Sequence, residues 1–176
     1  MTARRILVAG SSGSGKTTLA GRVGALLDVS HTEIDGLYWR AGWTASETFE
    51  ADVATLVARD AWITELQYRQ VLPVLAARAE LLVWMDLPRL QVLARVVRRT
   101  VRRRLRRELM WGVNVEPPFR TFFTNPDHII RYSWRMRSDV EARVRTVLRL
   151  NPAIRVVRLR SQRDVDRFLR RLAVQR

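Results

Sequence analysis

The chain has 176 residues, 47% of them hydrophobic, and 32 basic against 17 acidic side chains give it a net charge of +15. That length suits one domain with a core of its own, and the absence of cysteine excludes disulfides, thiolate metal sites and a cysteine nucleophile. With no apolar run near the ~18 residues of a membrane helix, no secretory pattern at the N-terminus and only His31 and His128 as histidines, the reading sets aside membrane, secreted and histidine-rich metal proteins, expects a cytoplasmic location, and leaves polyanions as the natural partners of the charge.

Arg4-Arg5-Ile6-Leu7-Val8-Ala9 reads as a short buried strand. It runs into Gly10-Ser11-Ser12-Gly13-Ser14-Gly15-Lys16-Thr17, which fits the phosphate-loop pattern G-x-x-x-x-G-K-[ST] at every fixed position. A helix over 15–27 follows, because Leu19, Val23, Leu26 and Leu27 repeat at helical spacing. Strand, glycine loop and helix in that order turn successive backbone N–H groups and the positive end of a helix dipole onto a polyphosphate. Lys16 then adds a charge for the outer phosphates, and the Thr17 hydroxyl suits one position around Mg²⁺. Gly10 to Thr18 is therefore the expected nucleotide-binding stretch, with ATP and Mg²⁺ as cofactors. Lys16 is the sole lysine among arginines, a compact ammonium kept where phosphate is expected.

The remaining elements alternate. A second strand is expected over His31–Asp35, then a loop from Gly36 to Gly42, then a helix from an N-cap at Ser46 to about Arg59. Residues 61–65 read as a third strand, and 70–79 as a helix with Pro73 in its first turn. The fourth strand, 80–86, is apolar on both faces, as a central parallel strand is. Pro88 opens a long helix whose expected apolar stripe is Leu90, Leu93, Val97, Val101 and Leu105. Met110 to Pro126 breaks the pattern and is too long for a plain connection. Another helix runs over about 127–150, a fifth strand over 154–159, and Ser161 caps a last helix to about Val174. The expected class is α/β: one parallel sheet covered on both faces, with its ligand at the carboxyl ends of the strands.

Taken together, the loop 10–20, Ile34-Asp35-Gly36-Leu37-Tyr38-Trp39, Gly42-Trp43, Trp62 to Arg69, Met85 to Arg89, Arg95, Arg99 and Trp111 to Glu116 resemble the small P-loop kinases related to adenylate and shikimate kinase. Within them the chain is most similar to the bacterial adenylate-kinase-like "DNA topology modulation protein" (FlaR-like) group, and the likeness covers nearly the whole chain. The resemblance implies a P-loop NTPase fold with a five-stranded parallel sheet in order 2-3-1-4-5, an acceptor-side insertion over 36–60 and a lid over about 100–130, all in a single domain, 1–176. It implies transfer of the ATP γ-phosphoryl group to a small-molecule acceptor, a nucleoside or nucleotide among the candidates.

The resemblance also assigns roles. Lys16, Asp35, Arg95 and Arg99 are the catalytic candidates: Asp35 meets the acceptor, and the two arginines, one helical turn apart, close on the transferring group. Glu65 stands where an acidic residue, often Asp, holds Mg²⁺ through water, with Thr17 as the direct ligand. Arg69 matches the arginine of a D-G-F-P-R pattern whose middle is replaced here by Leu66-Gln67-Tyr68. Arg69, Arg131 and Arg135 are the acceptor or lid clamps, and Trp39, with Tyr38 and Trp43, is placed to stack on a planar acceptor. Plainer readings stay open: Asp35-Gly36 as a turn pair, Glu65 as a structural ion pair, the aromatics as a local apolar patch. Asn114 and Glu116 in the lid receive no role. Two other functions also stay open, a nucleic-acid-associated ATP-binding protein using its arginine-rich helix, and a weak ATPase. Monomer and homodimer are equally compatible with the sequence.

Overall fold

The computed structural model of the protein describes residues 3–106, 109–110, 114–115 and 129–174, and the side chains of 3–102, 105 and 138–174. Most of the expected lid, including Glu116, lies outside these residues, as do the side chains of Asn114, Arg131 and Arg135. In chain order the elements are β1 (Arg5–Gly10), α1 (Lys16–Leu27), α2 (Ile34–Tyr38), a 3-10 turn (Ala41–Trp43), α3 (Phe49–Ala58), β2 (Trp62–Glu65), a second 3-10 turn (Arg69–Val71) and α4 (Leu72–Arg78). There follow β3 (Leu81–Met85), α5 (Arg89–Arg106), the short antiparallel pair β4 (Leu109–Met110) and β5 (Asn114–Val115), α6 (Ile129–Leu150), β6 (Arg155–Leu159) and α7 (Gln162–Val174).

β1 shows why the sheet is buried on both faces. Successive strand residues point to opposite sides. Ile6 and Val8 join Leu19 and Val23 of α1 and Val165 and Leu169 of α7 in one core. Leu7 and Ala9 join Val53 of α3, Leu75 of α4 and Val144 of α6 in the other. A strand apolar from Ile6 to Ala9 therefore needs helices above and below it, and the chain supplies both. Among the described residues no helix is long and apolar enough to cross a membrane.

The sheet corrects one expectation. Among the described residues it holds four parallel strands in the order β2-β1-β3-β6, not five. These are the expected third, first, fourth and fifth strands in their expected order; the edge strand His31–Asp35 is missing. That segment meets the sheet through one parallel bridge, His31 to Ile63, with the Ile63 N–H on Ser30 O at 3.2 Å and the Thr32 N–H on Ile63 O at 2.9 Å. The next N–H in line, that of Ile34, is taken by the Glu65 side chain at 3.0 Å. A carboxylate replaces the backbone acceptor, the ladder stops, and the chain turns into α2.

A second correction concerns α5. The stripe Leu90, Val97, Val101 and Leu105 faces outward, with Leu90 and Leu105 each 74% exposed. The buried ridge is Val92, Val96 and Thr100. It presses on the glycine loop: a Cβ at Gly13 would sit 2.2 Å from Val96 Cγ2. The missing side chain at Gly13 permits that approach, and the ridge turns the adjacent Arg95 and Arg99 toward the loop.

The last helix begins as expected. The Asp164 N–H donates to Ser161 Oγ at 3.2 Å, and Ser161 Oγ and the Arg160 N–H donate to Asp164 Oδ2 at 2.9 and 3.1 Å, a reciprocal N-terminal cap.

Candidate functional site

The loop between β1 and α1 is built by its glycines. Gly13 and Gly15 have φ of +80° and +93°, a region that side-chain-bearing residues rarely adopt. Gly15 is the N-cap of α1, so the helix begins with Lys16 and carries the loop at its N-terminus. The Ser14 N–H closes on Ser11 O at 3.1 Å. Ser14 itself is fully buried, its Oγ finds no hydrogen-bond partner among the described residues, and a Cβ at Gly10 would lie 2.4 Å from it. The glycines keep the turn tight enough for backbone N–H groups to converge, which is the cradle a polyphosphate needs.

Two arginines of α5 brace this cradle. Arg95 donates through Nη1 to Ser14 O at 3.2 Å and through Nη2 to Gln162 Oε1 at 3.1 Å, tying the loop to the start of α7. Arg99 Nη2 donates to Ser12 Oγ at 3.0 Å. Both guanidinium groups therefore lie against the glycine loop.

Lys16 is partly exposed, and crowding by protein pushes its pKa below the usual value; Asp35 and Glu65 pull it up, while Arg99 and Arg143 push it down. Asp35, Glu65 and Arg99 thus all lie within electrostatic reach of Lys16. Arg143 joins them, although the sequence reading passed it over. It is 6% exposed on α6. The sequence held a signal: Val140, Val144 and Val147 mark the buried stripe of α6, and Arg143 occupies an i+3 position within it. An arginine inside a core stripe needs anionic or polar company.

Glu65 is held from two sides. His31 Nε2 donates to Oε1 at 3.0 Å and the Ile34 N–H donates to Oε2 at 3.0 Å. Burial alone would raise its pKa; the hydrogen bonds from His31 and Ile34 and the charges of His31 and Lys16 outweigh that, and the carboxyl sits below its usual range.

Asp35 lies in the first turn of α2. Its Oδ1 accepts from Gln67 Nε2 and from the Tyr68 hydroxyl, the latter at 2.6 Å. These donors are two of the residues that replace the middle of the kinase pattern. Tyr68 stacks on Tyr38 with centroids 4.1 Å apart, and Tyr38 meets Trp39 edge-on at 4.8 Å. Trp39 in turn meets Trp43 at 5.5 Å. The aromatics therefore form one continuous wall beside Asp35.

Arg69 is exposed, with its guanidinium 3.6 Å from Asp139 of α6. Asp86, just after β3, accepts from Arg158 Nε and Nη2 at 3.0 and 2.6 Å, and Arg158 lies 4.2 Å over the Trp84 ring. Thr17 stands in the first turn of α1, beside the loop. Among the described residues no group of three or more acidic or histidine side chains could hold a metal alone. The donor set present, one hydroxyl beside a phosphate cradle, fits Mg²⁺, which takes few protein ligands and keeps water and phosphate oxygens.

Comparison with solved structures finds this architecture. The shikimate kinase from Acinetobacter baumannii, in complex with shikimate, matches with a TM-score of 0.57 at 20% identity, covering 99% of this chain and 93% of that one. The fold is the one seen in shikimate kinases. A second such enzyme, from Bacteroides thetaiotaomicron, matches with a TM-score of 0.52 at 11% identity, covering 99% of this chain and 98% of that one. A gluconokinase from Sinorhizobium meliloti 1021 gives 0.50 at 16% identity, covering 98% and 94%. No family model matches the sequence, and no curated protein matches it. At these identities the likeness establishes the fold.

Proposed function

We propose that the protein is an ATP- and Mg²⁺-dependent phosphotransferase that moves the γ-phosphoryl group to a hydroxyl of a small-molecule acceptor, a nucleoside or nucleotide being the class that its aromatic wall suits. One observation carries the reading: a glycine loop with Gly13 and Gly15 at positive φ opens α1 directly at Lys16, the arrangement that turns backbone N–H groups onto a polyphosphate. The loop N–H groups and Lys16 hold the phosphates in line. Thr17 would hold Mg²⁺, and Glu65, whose oxygens already accept from His31 and Ile34, would support it through water. When bound, the metal offsets charge on the phosphate oxygens. Asp35 orients the acceptor hydroxyl and accepts its proton as the new P–O bond forms and the bond to the ADP oxygen breaks. Arg95 and Arg99 offset charge on the transferring group, joined by Arg131 and Arg135 from the lid side, and Arg69 contacts the acceptor's outer end. The finer affinity to the FlaR-like group rests on the Trp39, Trp43 and Tyr68 segments quoted above.

Purified protein supplied with ATP, Mg²⁺ and a panel of nucleosides, nucleotides and cyclic polyols tests this. Phosphorylated acceptor, with ADP formed in equal amount, is the expected result. ADP formed without any acceptor product would make the protein an ATPase. Retention of DNA or RNA at physiological salt without acceptor-stimulated turnover would favour the nucleic-acid reading, since purely electrostatic binding falls steeply with salt.

A further inference from the structure

Asp35 is held through one of its two oxygens. Gln67 Nε2 and the Tyr68 hydroxyl both donate to Oδ1, and among the described residues nothing donates to Oδ2. A carboxylate oxygen offers about two lone-pair positions, so Oδ1 is saturated. The two donors are adjacent in sequence and follow β2 directly after the buried Leu66, whose N–H is fixed on Val8 O at 2.9 Å. Tyr68 is fixed again by its ring, stacked on Tyr38 at 4.1 Å and edge-on to the buried Phe49 at 5.0 Å. The hydroxyl that grips Asp35 therefore stands on a ring with little freedom to move.

We propose that Gln67 and Tyr68 are positioning residues that fill Asp35 Oδ1 and leave Oδ2 as the single oxygen offered to the acceptor, so that the site selects one hydroxyl rather than a neighbouring pair. The inference deepens the phosphotransferase reading and rests on it for Asp35's role. A carboxylate open at both oxygens grips a vicinal diol with one hydroxyl on each. Here the second oxygen is spent inside the protein, so the hydroxyl next to the one phosphorylated gains no contact from Asp35. Gln67 and Tyr68 act through Asp35, and their effect is on which acceptors it recognises.

Two measurements test this, and they fail separately. The first needs no acceptor. In ¹⁵N–¹H spectra of the protein, one proton of the Gln67 side-chain amide is shifted downfield by the carboxylate, and it returns to the position of a solvated amide in Asp35→Ala. An amide unmoved by that substitution overturns the proposal. The second uses ATP, Mg²⁺ and matched acceptors, ribonucleosides against their 2′- and 3′-deoxy counterparts and cyclic polyols against monodeoxy counterparts. For any compound phosphorylated, deleting the neighbouring hydroxyl changes kcat/KM by less than about threefold in the natural protein. In Gln67→Leu/Tyr68→Phe, which keeps the stacked ring, Oδ1 is released and the diol becomes preferred by about tenfold, the scale of one charge-assisted hydrogen bond, with KM for ATP unchanged. A loss of about a hundredfold on deleting that hydroxyl in the natural protein overturns the proposal. If the amide behaves as stated and no acceptor is phosphorylated, the positioning of Asp35 stands and the phosphotransferase reading falls.

Discussion

Glu65 reaches from the end of β2 to the backbone of Ile34: its Oε2 accepts the Ile34 N–H at 3.0 Å, and the next residue in the chain is Asp35. Its other oxygen accepts from His31 at 3.0 Å, with the two side chains 13% and 3% exposed for His31 and Glu65. One buried carboxylate thus ends the sheet edge, starts α2 and sets the position of Asp35.

Glu65→Ala removes the acceptor from the Ile34 N–H and from the His31 ring together. Leaving buried donors unmet costs about 2–4 kcal/mol. Urea unfolding should show that loss, and acceptor phosphorylation should fall further than stability alone explains, because Asp35 loses its anchor. A variant as stable and as active as the natural protein would remove Glu65 from this role.

The same carboxylate makes stability depend on acid. Its folded pKa lies below the usual value, so the folded state binds fewer protons than the unfolded chain between the two values. The stabilisation is complete above the unfolded carboxyl value of about 4.3 and is lost as pH falls through the lower folded value. Glu65→Gln should flatten the decline in unfolding free energy on going to acid pH. A decline as steep as in the natural protein would assign it to other carboxylates, Glu80 first among them, whose pKa is also lowered as it accepts from the N–H groups of Arg4 and Arg5.

Gly13→Ala should be severe. The position has φ +80°, and the added Cβ would sit 2.2 Å from Val96 Cγ2 and 3.0 Å from Val92 O. Calorimetry with Mg·ATP should lose its heat, and the thermal midpoint should fall by several degrees, consistent with about 1–3 kcal/mol of strain. Adding Val96→Ala opens space for the methyl and should recover part of the midpoint, but not the binding, because the backbone strain remains.

Lys16→Met should separate binding from stability. Desolvation disfavours the Lys16 ammonium in the folded protein, so its removal leaves the thermal midpoint unchanged or raised. Affinity for Mg·ATP should fall by about a hundredfold, the loss of a charge-assisted contact to phosphate. In the natural protein, bound phosphates restore the charged form, so binding takes up protons as pH approaches the lowered pKa from below. Titrations in buffers of different ionisation enthalpy measure that uptake, and none should occur in Lys16→Met.

Arg95→Ala should lower kcat for phosphoryl transfer by about a hundredfold, the scale of one preorganised donor at developing charge. It should also loosen the link from Ser14 to Gln162, visible as faster amide exchange across the loop. Full turnover in this variant would make Arg95 a brace for the loop alone.

The glycine loop was legible in the sequence because its geometry is local: eight adjoining residues set the turn and the start of the helix. Helical spacing likewise put Arg95 and Arg99 on one face of α5, one turn apart. The buried face of α5 was not legible. Its sequence offers two apolar rows, Leu90 to Leu105 and Val92 to Thr100, and helical spacing cannot say which one meets the protein; the close approach of Val96 to Gly13 chose the second. The strand expected over His31–Asp35 was misread because its competitor, the Glu65 side chain, is 31 residues from Ile34.

The sequence by itself determined the glycine turn and the helix that starts at Lys16, because backbone N–H groups in such a turn need only their neighbours to converge. Only the tertiary structure decided what stands opposite. Asp35 takes its orientation from Gln67 and Tyr68, 32 and 33 residues away, and Arg143 acts on the Lys16 charge from α6. Hydrogen bonds and charges act through space, and the folding of β2, α2 and α6 against one another brings those groups within range.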